Sequence, residues 1–366
     1  MLDIGLIQRF NGVVNDQWFA LFKYRAFNDK NLWNCICSAM DWITVSVEHI
    51  NGLTQEKMNY MGSIETYAFL ASVDIIVEAV QQLHRVLLDT TAVLYKNDRD
   101  VFQENRFNQT DLEYFKTLRA CFGAHPVNLD EPNSEKKENK RRYASWSSTH
   151  KRNGTAMVIL YSNQVGGKDI ILEMEFAQVM AFAEKYYGYL DELIKELGRQ
   201  KQAWFEAKRN EIIPKPTSPI EHLELLKEEM LGRIDNPCYE SDIDEALLLL
   251  RTSVTAEKNK ALVAKYQNAL SALIDDIHTH LQNMDFSDCE SAELLCLRPK
   301  GLPDGWGYWY SKISSSVLGG GYDPWYWEER IVEIFSPYFE PEYDSYEELY
   351  LLVNAALFDL TEKEKP

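Results

Sequence analysis

The sequence predicts a mainly α-helical protein, on three observations. Apolar residues recur at three- and four-residue spacing over long stretches. Hydrophobic residues make up 45% of the 366, enough for a sizeable core. Strand-like segments are confined to one window, at about 143–172. The length and the prolines at 214, 216 and 219 divide the chain into two expected domains, 1–212 and 213–366.

Within 31–50, Leu32, Ile36, Ala39, Met40, Ile43 and Val47 share one helical face. A second helix is expected over 62–88, with Ile64, Ala68, Ala71, Ile75, Val80, Leu83 and Leu87, apolar enough to be central in a bundle. Thr90-Thr91 and Asn97-Asp98 mark its exit. A third helix starts at a cap on Asn108 or Thr110, with Asp111 and Glu113 in its first turn. Leu112, Phe115, Leu118 and Phe122 form its apolar stripe. After a polar, basic loop at 127–142, three short segments read as a β-meander: Tyr143–Ser148, Met157–Ser162 and Asp169–Leu172, separated by Asn153-Gly154 and Gly166-Gly167. A long fourth helix follows from about 175 to 206, carried by Phe176, Val179, Met180, Ala183, Tyr187, Leu190, Ile194 and Leu197. Past the prolines come an acidic helix at 219–231, a helical region at 241–283, an aromatic and glycine-rich segment at 306–327, and a closing helix at 345–360.

The chemistry concentrates in Arg119-Ala-Cys-Phe-Gly-Ala-His125-Pro126, at the end of the third helix. Arginine offers a permanent cation in a fork geometry suited to phosphate. Histidine moves a proton near neutral pH. Six residues advance about 600° on a helix, so an unbroken helix points the two side chains roughly 120° apart. Gly123 loosens the last turn, and Pro126 disfavours helical geometry at His125. Cys121, inside the interval, reads as a buried small residue rather than a nucleophile.

This spacing resembles the arginine-x(4–6)-histidine motif of HEPN domains, over about residues 31–206. The resemblance implies a four-helix bundle, here with a β insertion at about 143–172, and a homodimer that brings two motifs together. It also implies metal-independent RNA cleavage that leaves a 2′,3′-cyclic phosphate, in toxin or antiphage defence biology. Arg119 would then stabilise the phosphate and His125 act as general acid or base, with no cofactor. The family often carries a polar residue after the arginine, where this chain has Ala120. Some members have lost catalysis and serve as binding or dimerisation modules, and that reading stays open.

The net charge of −19 is unevenly spread: −4 over residues 1–200 and −15 over 201–366. Lys136, Lys137, Lys140, Arg141, Arg142, Lys151 and Arg152 cluster just after the motif. Such a patch attracts phosphate even on an acidic protein, which makes RNA the expected partner and these residues its expected guides. The acidic C-terminal domain is the candidate for a protein or ligand trigger. No apolar run approaches the ~20 residues that span a bilayer, so no membrane is expected. The first residues lack the pattern of a signal peptide, and the six cysteines are scattered without a zinc spacing. Both suit a cytoplasmic protein. His278 and His280, two apart beside Asp275 and Asp276, read as a solvated helix face in preference to a surface metal site. The aromatic segment at 306–327 reads as a packing or protein-interaction surface rather than a base-stacking one, given its acidic neighbours.

Overall fold

The computed structural model describes residues 1–130, 140–148, 153–233, 237–285, 287–319 and 327–365. The chain is mainly helical with one small antiparallel sheet, in two compact units, Met1–Gln202 and Ala203–Pro366. Their boundary falls inside a helix, about ten residues before the proline cluster.

The first unit is organised around α5 (Ser63–Leu87). Phe69, Leu70, Val73, Ile76, Val80 and Leu83 on α5 are fully buried, which marks it as the central helix. On one side packs α3 (Trp33–Asn51), itself covered by α1 (Ile4–Asn15), with α2 (Phe19–Tyr24) beside it. On another packs α7 (Phe176–Gly188). The short α6 (Asp111–Arg119) lies across α5, and α4 (Gln55–Asn59) joins α3 to α5. The expected fourth helix is two helices, α7 and α8 (Leu190–Asn210), parted at Tyr189. The Tyr189 hydroxyl lies 2.9 Å from His84 Nδ1 on α5, so the break serves a polar contact with the central helix.

The sheet is a meander in the order β1 (Leu129–Asp130), β2 (Arg141–Ala144), β3 (Thr155–Ser162), β4 (Ile170–Glu175), with every pair antiparallel. Along β3 and β4, Ala156, Val158, Leu160, Leu172 and Met174 are buried while their neighbours are not. That is the two-residue alternation of a sheet with one face on the core.

In the second unit, α10 (Pro237–Arg251), α11 (Lys260–Asn283) and α12 (Trp306–Gly319) pack on α14 (Tyr346–Glu364), α9 (Pro219–Arg233) packs on α10 and α11, and α13 (Glu328–Phe335) packs on α12. Ten consecutive residues of α14, Leu349–Phe358, are buried, so this closing helix is the centre of the core. The aromatic segment begins as α12: Tyr310 and Trp327 are buried, and Trp306 and Trp309 pack against the same core. Arg233, 1% exposed, donates to the carbonyls of Lys208 and Glu211 at 2.6 and 2.7 Å and to Glu229 at 2.8 Å. It thereby satisfies acceptors at and just past the end of α8.

Candidate active site

Thr110, not Asn108, caps α6. Its side chain accepts from the Glu113 N–H, and Glu113 reaches back to the Thr110 N–H at 3.0 Å. Asp111, 2% exposed, accepts from the backbone N–H groups of Asp100, Val101 and Phe102 at 3.1, 3.1 and 2.9 Å. One carboxylate thus holds the preceding connection against the start of the helix.

At its other end α6 widens into a π-helical turn, Ala120–Ala124. The His125 N–H closes this turn on the Ala120 carbonyl at 3.2 Å. Single π turns are rare and concentrate at functional sites. Gly123 makes the turn sterically feasible. A Cβ there would sit 2.1 Å from Cδ2 and 2.9 Å from Cβ of Tyr67, so only glycine lets the chain lie this close to α5. Gly123 also leaves helical geometry, at φ 179° and ψ −41°. Beyond the turn, the Pro126 carbonyl accepts from the Ala144 N–H at 2.6 Å, and the His125 carbonyl from the Asn128 N–H at 3.2 Å. His125 is therefore exposed but held on a backbone fastened to β2.

His125 lines a cleft of about 400 Å³ between the end of α6 and the sheet. Lys116, Thr117, Asn128, Asp130 and Arg142 supply its other polar walls. Arg119 is not among the lining residues. It turns to α5, where its Nη1 lies 2.9 Å from Asp74, and its side chain keeps 37% exposure. Lys116 makes a looser pair with Glu78 at 3.9 Å. Burial raises the Asp74 carboxyl above its ordinary range, while the Arg119 charge and hydrogen bond pull it back. Cys121 is buried, and burial pushes its thiol up to about 12, so it holds no thiolate near neutral pH.

The basic cluster separates into different roles. Lys136, Lys137, Lys151 and Arg152 lie outside the described residues. Lys140 leads into β2 and is half-buried. Arg141 forms an ion pair with Asp130, its register partner on β1. Arg142 departs from the expectation of an exposed RNA guide: it is 8% exposed and donates to the carbonyls of Leu160 at 3.3 Å and Lys168 at 2.6 Å. The strand alternation turns it inward, where it satisfies backbone acceptors. Arg142→Met is expected to destabilise the first unit by about 2–4 kcal/mol, because the buried Leu160 carbonyl and the partly buried Lys168 carbonyl lose a charged donor. A urea unfolding curve checks this; a change below about 0.5 kcal/mol would make Arg142 a surface residue after all.

Sequence reasoning missed Asp74, Lys116 and Asn128. The signal for the first two was present: Asp74 and Glu78 are four apart on one helix, and Lys116 and Arg119 three apart on another. Only the crossing of α5 and α6 shows that the pairs meet.

In the second unit, His278 is not on a solvated face. It is 6% exposed, and its Nδ1 lies 2.9 Å from Nε2 of His222, which is equally buried. Burial lowers the pKa of both imidazoles. His280 faces Tyr239 and Cys289 instead, at 2.9 and 3.4 Å. Among the described residues, no group of three or more His, Cys, Asp or Glu side chains is placed to hold a metal ion. Nor, among them, is any helix long and apolar enough to cross a membrane.

Comparison of the chain with protein-family models, with curated proteins and with solved structures returns no match.

Proposed function

We propose that the chain is a metal-independent endoribonuclease of HEPN type, with its chemistry at His125. The observation that carries the reading is the placement of His125: an exposed imidazole, presented by a rare π turn, in a cleft that also holds Lys116. The 2′-hydroxyl of a bound ribose attacks the adjacent phosphorus and forms the P–O2′ bond as P–O5′ breaks. His125 handles the proton, taking it from the 2′-hydroxyl or delivering it to the leaving 5′ oxygen. The products are a 2′,3′-cyclic phosphate and a 5′-hydroxyl, with no net change in oxidation state. Lys116 and Arg119 supply positive charge to the phosphorane, the kind of stabilisation that usually contributes most. The Arg119 fork keeps donors beyond the nitrogen paired with Asp74, and a second protomer's motif would add its own. A mainly helical unit around α5, with a small sheet between α6 and α7 in the chain, supports the reading. The acidic second unit is the candidate for restraint by a protein or ligand trigger.

A second reading has its own observation. The Arg119–Asp74 ion pair turns the arginine toward α5, Ala120 replaces the polar residue the family often carries, and the chain is strongly acidic. These features suit a catalytically inactive binding or dimerisation module. The test that separates the two compares wild type and His125→Ala on RNA with EDTA present. The nuclease reading expects wild-type products with cyclic-phosphate ends, lost in a variant of unchanged fold. Equal cleavage by both proteins, or none by either, moves the conclusion to the binding module.

A further inference from the structure

We propose that the outer face of the β-sheet is a base-stacking surface for single-stranded RNA, sharing strand β2 with the His125 cleft. The inference takes from the proposed function the premise that the chain meets RNA. It adds where the strand lies and what recognises it.

The alternation that turns Arg142 and Leu160 toward the cleft turns their neighbours Tyr143 and Tyr161 the other way. The two tyrosines are direct register partners on β2 and β3, and each is 43% exposed. Opposed residues in an antiparallel pair hold their Cβ atoms about 5 Å apart, which sets the rings side by side. On the next register step Ile159 faces Ile171, which is 52% exposed. The water-facing side of an antiparallel sheet is ordinarily polar. Here it presents aromatic and aliphatic side chains in one patch, and such patches mark binding surfaces.

Charge selects the partner. Around the tyrosine end lie Lys140 leading into β2, Lys168 in the β3–β4 turn, and Arg106, whose guanidinium reaches the Ile171 carbonyl at 3.4 Å. The acids at this end are already engaged: Asp130 pairs with Arg141, and Asp169 accepts from the Ser162 N–H at 3.0 Å. Glu173 stands opposite Met157, two register steps from Tyr161, or about 13 Å along the strand. A platform of rings edged by cations fits unpaired bases on a phosphate backbone, because every base has a π-face. Four-stranded sheets with exposed aromatics take single-stranded RNA in the same way.

The test measures fluorescence anisotropy of a labelled 2′-O-methyl oligouridylate, whose blocked 2′ oxygen cannot attack phosphorus. Wild type is expected to bind it in a salt-dependent way. Tyr143→Ala and Tyr161→Ala are each expected to weaken binding on the order of tenfold, while the phenylalanine variants keep the ring and the affinity. Three results overturn the proposal: no binding by wild type, alanine variants that bind as wild type does, or alanine variants whose only change is a lower mass in solution. The last would make the face a contact between two copies of the chain. The nuclease reading fails separately, when His125→Ala leaves the cleavage of ordinary RNA unchanged. Tyrosine-dependent binding together with that result would keep the surface and remove the nuclease.

Discussion

Asp111→Ala is expected to destabilise the first unit by roughly 3–5 kcal/mol and to lower His125-dependent activity with it. The carboxylate is 2% exposed and accepts from three consecutive backbone N–H groups, those of Asp100, Val101 and Phe102. Alanine removes every one of these bonds at once and leaves donors facing a cavity that no side chain fills. The Phe102 bond is fully buried and the other two are partly so; an unsatisfied buried donor costs about 1–3 kcal/mol. The loss extends further, because Phe102 is 2% exposed and packs on Tyr114 of α6 at 5.2 Å between ring centroids. Once the 100–102 segment is released, α6 loses its packing on Phe102. The position of the π turn depends on α6, and that of His125 on the π turn. Urea unfolding gives the stability change, and amide hydrogen exchange at Asp100–Phe102 localises it. A cost below about 1 kcal/mol with unchanged exchange at these amides would show that water takes the carboxylate's place.

The second large effect is a pH dependence in the C-terminal unit. Burial pushes the Glu245 carboxyl up to about 7 from 4.5; the hydrogen bond from Tyr350 lowers it and the charge of Asp242 raises it. The Tyr350 hydroxyl donates to Glu245 at 2.5 Å. Tyr310 lies 3.3 Å from the Tyr350 oxygen and donates to Asn354 at 2.9 Å, so the acid sits at the end of a buried polar chain along α14. The folded pKa is above the unfolded one, so the folded state holds the proton more tightly. The stabilisation is complete below pH 4.5 and is lost as pH rises through 7. The raised pKa corresponds to about 3 kcal/mol. Glu245→Gln keeps an acceptor for Tyr350 and has no proton to lose. It is therefore expected to match wild type near pH 4 and to exceed its stability by about 3 kcal/mol near pH 8. The comparison between the two proteins isolates Glu245. The buried pair His222 and His278 acts in the opposite sense, since lowered imidazole pKa values remove stability as pH falls. A difference between wild type and Glu245→Gln that stays constant from pH 4 to 8 would show that folding leaves the Glu245 carboxyl unshifted.

The amino-acid order alone determined most of the helices and the position of the sheet. Strong periodicity placed α3, α5, α9 and α14 within a few residues of their ends, because a helix that buries one face must repeat its apolar positions. Asp111 and Glu113 after a cap on Asn108 or Thr110 marked the start of α6, where the structure selects Thr110, and the Asn153-Gly154 and Gly166-Gly167 turns framed β3. It also singled out Arg119 and His125 as residues whose chemistry suits a phosphodiester. The six-residue α2 is too short for periodicity to mark and the helix over Trp306–Gly319 lay in the aromatic segment; α1 was missed although Leu6, Ile7, Phe10 and Val14 repeat at helical spacing. What the sequence left open are the properties that depend on two elements meeting. The direction of the Arg119 fork was decided by Asp74 on another helix, 45 positions earlier in the chain. The inward turn of Arg142 was decided by strand register, which sends neighbouring residues to opposite faces and makes one a structural donor and the next an exposed ring. The burial of His278 was decided by His222, reached only through helix packing. Periodicity reports which face of an element is covered; only the fold reports what covers it.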